Sequence, residues 1–369
     1  MLHTILEKEL TPKVETIDRH GFYPESILRN MGKVGVYRLN DIEENGLNKN
    51  IEDMSFVSKV CMTTGFCVWC QDVLGWYLYN TQNMSLKNKL LPLIENGLVL
   101  GGTGLSNPMK SYAKIENNHL SAKRVSGGYV LNGTLPWVSN LQYGHYLGVI
   151  FNVRDKNHNV MGVVYCDPST MKLKENIHYS ALEGSATASV ILKDYFMSDD
   201  DVLADPAEPY LVNITPGFIL LQAGMAMGVL LSSLDVIKAS NQTHHHINKY
   251  LPLQESELEA RTASLAETVY RLAKNPYDVF NPFYLREVLR ARLEASYLVL
   301  EATQSACLHA GTQGYLYSAK AQRNLREGYF VAIVTPSIKH LIKELEDIEN
   351  GVGVMSNWKQ VKDIGYYEI

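Results

Sequence analysis

The sequence lacks an excess of positive charge, a long apolar run and a framework of cysteines. Its 369 residues carry 34 Lys and Arg against 39 Asp and Glu, a formal net charge of −5, so no basic surface for nucleic acid is predicted. No window approaches the ~18 uninterrupted apolar residues of a membrane span, and the amino terminus lacks a signal-peptide pattern. Five cysteines, an odd number, favour free thiols. We expect a cytoplasmic globular protein without nucleic-acid or membrane partners.

Several common catalytic and cofactor motifs are also missing. There is no P-loop, no HExxH, no GxSxG and no GxGxxG followed by an acid, which disfavours an NTPase, a zincin, a serine hydrolase and a nicotinamide enzyme. A CxxC pair, Cys67 and Cys70, has no second pair and lies in a segment that is apolar on most faces. Buried core cysteines are therefore favoured over a redox or zinc site.

Three consecutive histidines, His244–His246, are the other candidates for metal binding. Adjacent residues on a helix point about 100° apart and cannot all converge on one ion, so no metal site is predicted. They stand near a probable helix end, which favours solvated side chains that interact with the helix dipole. Binding of a nucleotide phosphate by His244 is the alternative.

The residue pattern changes twice along the chain. Helical periodicity dominates residues 1–100, short β-branched runs separated by turns occupy residues 101–209, and long amphipathic segments fill residues 210–369. Helices, strands and helices in separate blocks predict an α+β fold with three units. A row of small residues, Ala223, Gly224, Ala226 and Gly228, suits close helix packing within a bundle or at a subunit contact.

A hairpin in the middle block carries the best candidate for ligand binding. A turn at Gly127-Gly128 joins two short strands, and the second leads into Trp137, Val138 and Ser139. A rigid indole beside a hydroxyl suits an aromatic ligand, because the ring offers a stacking face and the hydroxyl a polar contact. An ordinary buried strand tryptophan is the alternative.

Taken in order, these features resemble the flavin-dependent acyl-CoA dehydrogenase family over nearly the whole chain. Residues Gly127–Asn140 are similar to its Gly-Gly-Tyr-x-Leu-Asn-Gly-x-x-x-Trp-Ile-Thr-Asn element, and Leu105–Pro108 partly match Leu-Thr-Glu-Pro. Ala310–Tyr315 resembles a Gly-Gly-x-Gly-Tyr turn, and Arg323–Glu327 resembles an Arg-x-x-Arg-Asp helix. The resemblance implies an N-terminal helical domain, a central β-barrel-like domain and a C-terminal four-helix bundle.

The resemblance also implies a cofactor and its contacts. FAD is expected between the β domain and the bundle, in a homodimer or homotetramer whose second subunit completes the nucleotide site. The matching positions for the flavin ring are Leu105, Ser106, Trp137, Val138 and Ser139. Gly311 and Gly314 match the segment that meets the adenine dinucleotide of the partner subunit, and Ser337 stands where a hydroxyl supports the cofactor.

Two departures from the family pattern concern charged residues. The family's catalytic Glu is replaced by Thr335, whose hydroxyl is a poor base near neutral pH, and the alternative position in Pro216–Ile219 has no acid either. Glu327 is a weak candidate base, because an ion pair with a neighbouring arginine is favoured. An Arg-x-x-Phe-Gly segment is replaced by Thr243–Ile247, which leaves His244 as a weaker phosphate contact.

Three functions follow from this pattern. The first is an FAD-dependent oxidoreductase that acts on an acyl thioester, linked to coenzyme A or to an acyl carrier protein. The second is a flavin-dependent monooxygenase of the same fold, which needs no α-proton base. The third is a non-catalytic scaffold that has lost the activity.

Overall fold

The computed structural model describes residues 1–39, 42–154, 156, 158–175, 178–279, 281 and 283–352. Helices form the first part of the chain, and a π-helical turn at Leu6–Leu10 and a 3₁₀ turn at Thr11–Lys13 separate the first two. In chain order the helices are α1 Leu2–Ile5, α2 Val14–His20, α3 Glu25–Lys33, α4 Ile42–Asn45, α5 Asn48–Val60, α6 Met62–Asn80 and α7 Met84–Glu95.

Helix α6 is the centre of this helical domain. Its residues from Met62 to Leu78 are all buried, so it is enclosed on every face, as a helix without a polar stripe must be. Cys67 and Cys70 lie inside it as free, buried thiols, which confirms the prediction of core cysteines. The Trp76 indole N–H donates to the Ile214 carbonyl oxygen at 2.9 Å and thereby ties α6 to the C-terminal helices.

The middle of the chain forms a mixed sheet. Its strands are β1 Gly101–Thr103, β2 Leu120–Val125, β3 Gly128–Val138, β4 Tyr146–Val153, β5 Asn159–Tyr165, β6 Met171–Glu175, β7 Ala188–Ser198 and β8 Val202–Ala204, with helix α8 at Ser106–Tyr112. The order is β6-β7-β3-β2-β4-β5-β8, and β1 pairs with β4. The predicted hairpin joins β2 and β3, and Gly127 has φ of 76° in its turn, a conformation that glycine adopts without steric cost.

Five helices follow the sheet in the described part of the chain. They are α9 Glu208–Asn248, α10 Glu255–Ala273, α11 Tyr284–Gly314, α12 Lys320–Ile333 and α13 Ile338–Glu349. The helical, β and helical order expected from the resemblance is confirmed. Residues 353–369 of the predicted C-terminal block lie outside the described residues.

Helix α9 corrects the expectation that no segment approaches a membrane span. Among the described residues it alone is long and apolar enough to cross a bilayer, but 89 % of its most apolar window is buried inside the protein. It is therefore a core helix. Its Gly224 and Gly228 lie against α5, where an added Cβ at Gly228 would come within 2.3 Å of the Ser58 Cβ. The small-residue row thus serves close packing within the chain.

Helix α12 contacts both the N-terminal helices and the β domain. The Arg326 guanidinium binds both carboxylate oxygens of Asp18 on α2, at 2.9 and 2.6 Å, and donates to the Ser180 carbonyl oxygen at 2.8 Å. Arg323 donates to the Val60 carbonyl oxygen at 3.0 Å. One face of α12 therefore contacts residues from the N-terminal helices and from the β domain.

Candidate active site

The Trp137 indole stands at the end of β3 with 58 % of the residue exposed. Its ring meets the Tyr179 ring edge-on, with centroids 5.9 Å apart. The alternative of an ordinary buried strand tryptophan is therefore wrong. Most of the indole remains accessible to a planar ligand.

The residues after Trp137 form a rigid support. Val138 is buried in the sheet core. The Ser139 hydroxyl lies 2.6 Å from the Thr187 hydroxyl, which lies 2.7 Å from the Ser185 hydroxyl. Gly102 of β1 approaches so closely that an added Cβ would stand 2.3 Å from the Ser139 carbonyl oxygen. The residues that end β3 therefore pack closely against β1, and Leu105 follows β1 after one residue.

A pair of hydroxyls joins this segment to the C-terminal helices. Ser106, the first residue of α8, places its Oγ 2.8 Å from Oγ1 of Thr335, and Thr335 is buried. Leu105 is buried beside it. The structure therefore brings together two positions that the resemblance assigns to one site, the flavin-ring segment and the place of the family base.

A buried arginine that the sequence did not single out holds the Thr335 segment. The Gln222 side chain donates to the Thr335 carbonyl oxygen at 2.8 Å, and Arg292 donates to the Gln222 Oε1 at 2.7 Å. Arg292 also donates to the Val331 carbonyl oxygen at 2.6 Å and to the Ser296 hydroxyl at 2.5 Å. Burial lowers the pKa of Arg292 to about 10, which leaves the guanidinium charged at neutral pH.

A narrow cavity of about 40 Å³ adjoins the hydroxyl pair, and Leu105 and Pro336 are in its wall. We call it the α9–α13 cavity. Its other lining residues are mostly apolar: Met109, Tyr112, Ile150, Leu211, Ile214, Thr215, Phe218, Ile219, Leu285 and Leu289. Two ionisable side chains, His340 and Glu344 of α13, complete the lining. An apolar cavity lined by a few polar groups is typical of a small-molecule site.

Other candidates lie elsewhere. His244 is exposed near the C-terminal end of α9, with its Nδ1 2.8 Å from the Thr243 hydroxyl, as expected of a solvated helix end. Gly311 has φ of 58° and breaks the helical geometry of α11, and Gly314 follows it. Ser337 is the residue before α13. Their contacts with a nucleotide stay predictions.

Glu327 does not line the cavity. It is buried on α12, where its Oε2 lies 3.7 Å from the Arg323 Nε, while Arg326 pairs with Asp18. Burial raises the pKa of Glu327 to about 7. The favoured interpretation, an ion pair with a neighbouring arginine, agrees with this geometry.

The raised pKa of Glu327 predicts a pH-dependent stability. A carboxyl group whose folded-state pKa exceeds its ordinary 4.5 stabilises the fold in its protonated form, so its contribution is complete below that value and is lost as pH rises to about 7. Relative to Glu327→Gln, the wild type should lose about 2 kcal/mol of unfolding free energy between about pH 5 and about pH 8. Urea unfolding of both proteins at several pH values measures this difference, and parallel pH profiles would contradict it.

Comparisons with known proteins support the architecture. No protein-family model matches the chain. Probable acyl-CoA dehydrogenase YngJ of Bacillus subtilis (strain 168) is 26 % identical over 356 residues, which cover 90 % of this chain and 92 % of that protein. A glutaryl-coenzyme A dehydrogenase structure has a TM-score of 0.83 at 16 % identity and covers 96 % of this chain and 94 % of its own.

A monooxygenase shares the same fold. Dibenzothiophene monooxygenase from Paenibacillus sp. A11-2 has a TM-score of 0.77 at 14 % identity, covering 94 % of this chain and 96 % of its own. The full-length similarity to acyl-CoA dehydrogenases in sequence and in fold agrees with the hairpin and the adjoining cavity. In sequence and in fold, this chain is therefore similar over nearly its whole length to acyl-CoA dehydrogenases, which supports an acyl-CoA dehydrogenase-like flavoprotein enzyme.

Proposed function

We propose that this protein is an FAD-dependent oxidoreductase that oxidises an acyl thioester, with the acyl group in the α9–α13 cavity. The observation that carries the proposal is the position of that apolar cavity, whose wall includes Leu105 and Pro336, the neighbours of the Ser106 and Thr335 hydroxyls. An acyl chain is the kind of ligand that gains most from such a lining, because it buries CH₂ groups worth about 0.8 kcal/mol each.

The residues present fit a flavin ring. The accessible Trp137 indole offers a stacking face, and the hydroxyls of Ser106 and Ser139 supply polar contacts on supports that are held by hydrogen bonds. A bound flavin supplies a hydride acceptor. The chain itself would orient the thioester, exclude water from the acyl group through the cavity lining, and hold the ligand carbonyl near the two hydroxyls. Gly311, Gly314, Ser337 and His244 remain candidates for the dinucleotide, with a second copy of the chain completing that site in a homodimer or homotetramer.

The alternative is flavin-dependent monooxygenation in the same cavity. Thr335 in place of a carboxylate favours it, because oxygen insertion needs no group to remove an α-proton. The thioester itself, carried by coenzyme A or by an acyl carrier protein, belongs to the first proposal only. We also propose a cytoplasmic location, since the cysteines are free thiols.

The visible spectrum of the purified protein tests the proposal. A yellow protein whose flavin absorbance is bleached without oxygen by an acyl-CoA, or by an acyl carrier protein thioester, is expected. Flavin that resists all thioesters but reacts with oxygen to give a transient peroxyflavin spectrum would favour the monooxygenase instead. Colourless protein that does not bind added FAD would contradict both functions.

The Trp137→Ala variant is expected to weaken FAD binding about fivefold to tenfold, because it removes a stacking contact worth about 1 kcal/mol. Its thermal stability should stay near that of the wild type, since the indole is largely exposed. Phe196→Ala is the matched control, because it removes another exposed aromatic ring from the same sheet. Titration of each apoprotein with FAD measures the effect, and equal affinities for all three proteins would contradict the assigned contact.

A further inference from the structure

The α9–α13 cavity has a polar corner on α13. His340 and Glu344 are one helical turn apart, 3 % and 4 % exposed, and both line the cavity. The His340 Nε2 lies 3.3 Å from the Glu344 Oε1. In the part of the chain that the structure describes, the His340 Nδ1 and the Glu344 Oε2 have no hydrogen-bond partner. Buried polar atoms without a partner are costly to the fold and therefore call for an explanation.

The hydrogen bond to Glu344 determines which nitrogen of His340 is available. A carboxylate oxygen only accepts, so the Nε2 of the imidazole must carry the proton of this hydrogen bond. In the neutral ring the other nitrogen, Nδ1, then has a free lone pair. A carboxylate that fixes the tautomer and orientation of a histidine is the arrangement used where histidine acts as a general base.

The other titratable or hydroxyl-bearing groups near the cavity are less suitable as proton acceptors. Burial, and then the nearby Glu208 carboxylate, raise the pKa of Tyr112 well above its ordinary value, so its phenol stays protonated. The Thr215 hydroxyl is hydrogen-bonded to the Leu211 carbonyl oxygen at 2.7 Å. The Thr335 hydroxyl is engaged with Ser106, and an alcohol is a weak base.

We propose that His340 is the proton acceptor of this cavity, that Glu344 positions it, and that the pair replaces the carboxylate missing at Thr335; this inference rests on the proposed function. In the step, the α-C–H bond of the acyl thioester breaks and its proton goes to Nδ1 of His340. The electron pair moves into the enolate of the thioester carbonyl. Return of a solvent deuteron to the α-carbon completes an exchange that involves no net oxidation. A bound flavin would supply the hydride acceptor that dehydrogenation needs.

Deuterium exchange separates proton removal from oxidation. FAD-loaded protein is incubated without oxygen in deuterated water with an acyl-CoA that bleaches its flavin, and deuterium at the α-carbon is followed by mass spectrometry. His340→Gln should slow exchange about 100-fold or more, the usual contribution of a general base, while FAD affinity stays unchanged. Glu344→Gln should slow it about tenfold, because the imidazole remains but its orientation is no longer enforced.

The matched control is His309→Gln. His309 is another buried histidine in a helix, with its Nδ1 2.9 Å from the Ser305 carbonyl oxygen and no place in the cavity lining. It should exchange at the wild-type rate. Addition of imidazole to a His340→Ala variant should restore part of the exchange, which a merely structural role would not explain.

The outcomes distinguish the two proposals. If the wild type is bleached and exchanges but His340→Gln exchanges at the same rate, the assignment of His340 is overturned and the proposed function stands. Loss of exchange in Glu344→Gln with full exchange in His340→Gln would make the carboxylate the acceptor and likewise overturn the assignment. If the FAD-loaded wild type neither bleaches nor exchanges with any acyl thioester, the proposed function fails and the inference fails with it.

Discussion

The Arg326→Met variant is expected to lose about 3 kcal/mol of unfolding free energy, because it leaves the buried Asp18 carboxylate of a partly buried ion pair without its cation. Asp18, only 6 % exposed, receives two hydrogen bonds from the Arg326 guanidinium. Methionine keeps the apolar stem of the side chain but leaves the carboxylate without its cation. Denaturant unfolding at fixed protein concentration measures the loss.

Two further variants isolate the cause of this loss. Arg19→Met breaks an exposed pair with Glu15 on the same helix as Asp18, where Glu15 is 72 % exposed, and should cost less than about 1 kcal/mol. Adding Asp18→Asn to Arg326→Met should recover part of the stability, because no buried charge then lacks a partner. A loss below about 1 kcal/mol in Arg326→Met would contradict the role of this ion pair.

The second large effect is expected at Gly228 of α9. A side chain there has no room, because an added Cβ would lie 2.3 Å from the Ser58 Cβ and 2.7 Å from the Lys59 nitrogen and the Ser55 carbonyl oxygen of α5. Gly228→Leu must force the two helices apart and should cost about 3 kcal/mol or more. Because backbone atoms of α5 form the contact, a rotamer change cannot relieve it.

The control for this variant lies on the same helix, about three turns nearer its C-terminus. Ala239→Leu places the same side chain on an exposed position of α9 and should change stability by less than about 0.5 kcal/mol. Thermal unfolding and the yield of soluble protein compare the two variants. Similar melting temperatures for Gly228→Leu and the wild type would contradict the close approach of α5 and α9.

Sequence patterns predicted the elements better than the site. The amphipathic pattern of residues 255–274 is typical of a helix, and this segment is α10, Glu255–Ala273. The β-branched run at residues 146–153 is typical of a strand, and it is β4, Tyr146–Val153. Periodicity succeeds here because each element shows one face to the core. Helix α11 reaches Gly314 only across a kink at Gly311, where the backbone is not helical. The sequence does not predict this kink, because a lone glycine does not specify which conformation it takes.

The polar groups of the site could not be predicted in the same way. His340 and Glu344 carry the helical i, i+4 spacing, but that spacing also describes many solvated pairs. Only the tertiary structure, in which α13 packs on α11 beside the cavity, makes these two side chains buried. Arg292 likewise gives no local signal, since its partners Gln222 and Val331 are far away in sequence. The family resemblance predicts that Ser106 and Thr335 belong to one site. Only the structure shows that their hydroxyls are hydrogen-bonded to each other.

The two helices that give the α9–α13 cavity its name differ in how many other elements they pack against. Helix α9 packs against α5, α6, α10, α11 and α12, whereas α13 packs mainly on α11, with Leu341 as its fully buried apolar residue and an exposed ion pair between Arg290 and Glu349. Regions with few buried apolar contacts open at the lowest free energy. A bulky ligand would therefore enter the cavity by an outward movement of α13, while α9 would stay in place.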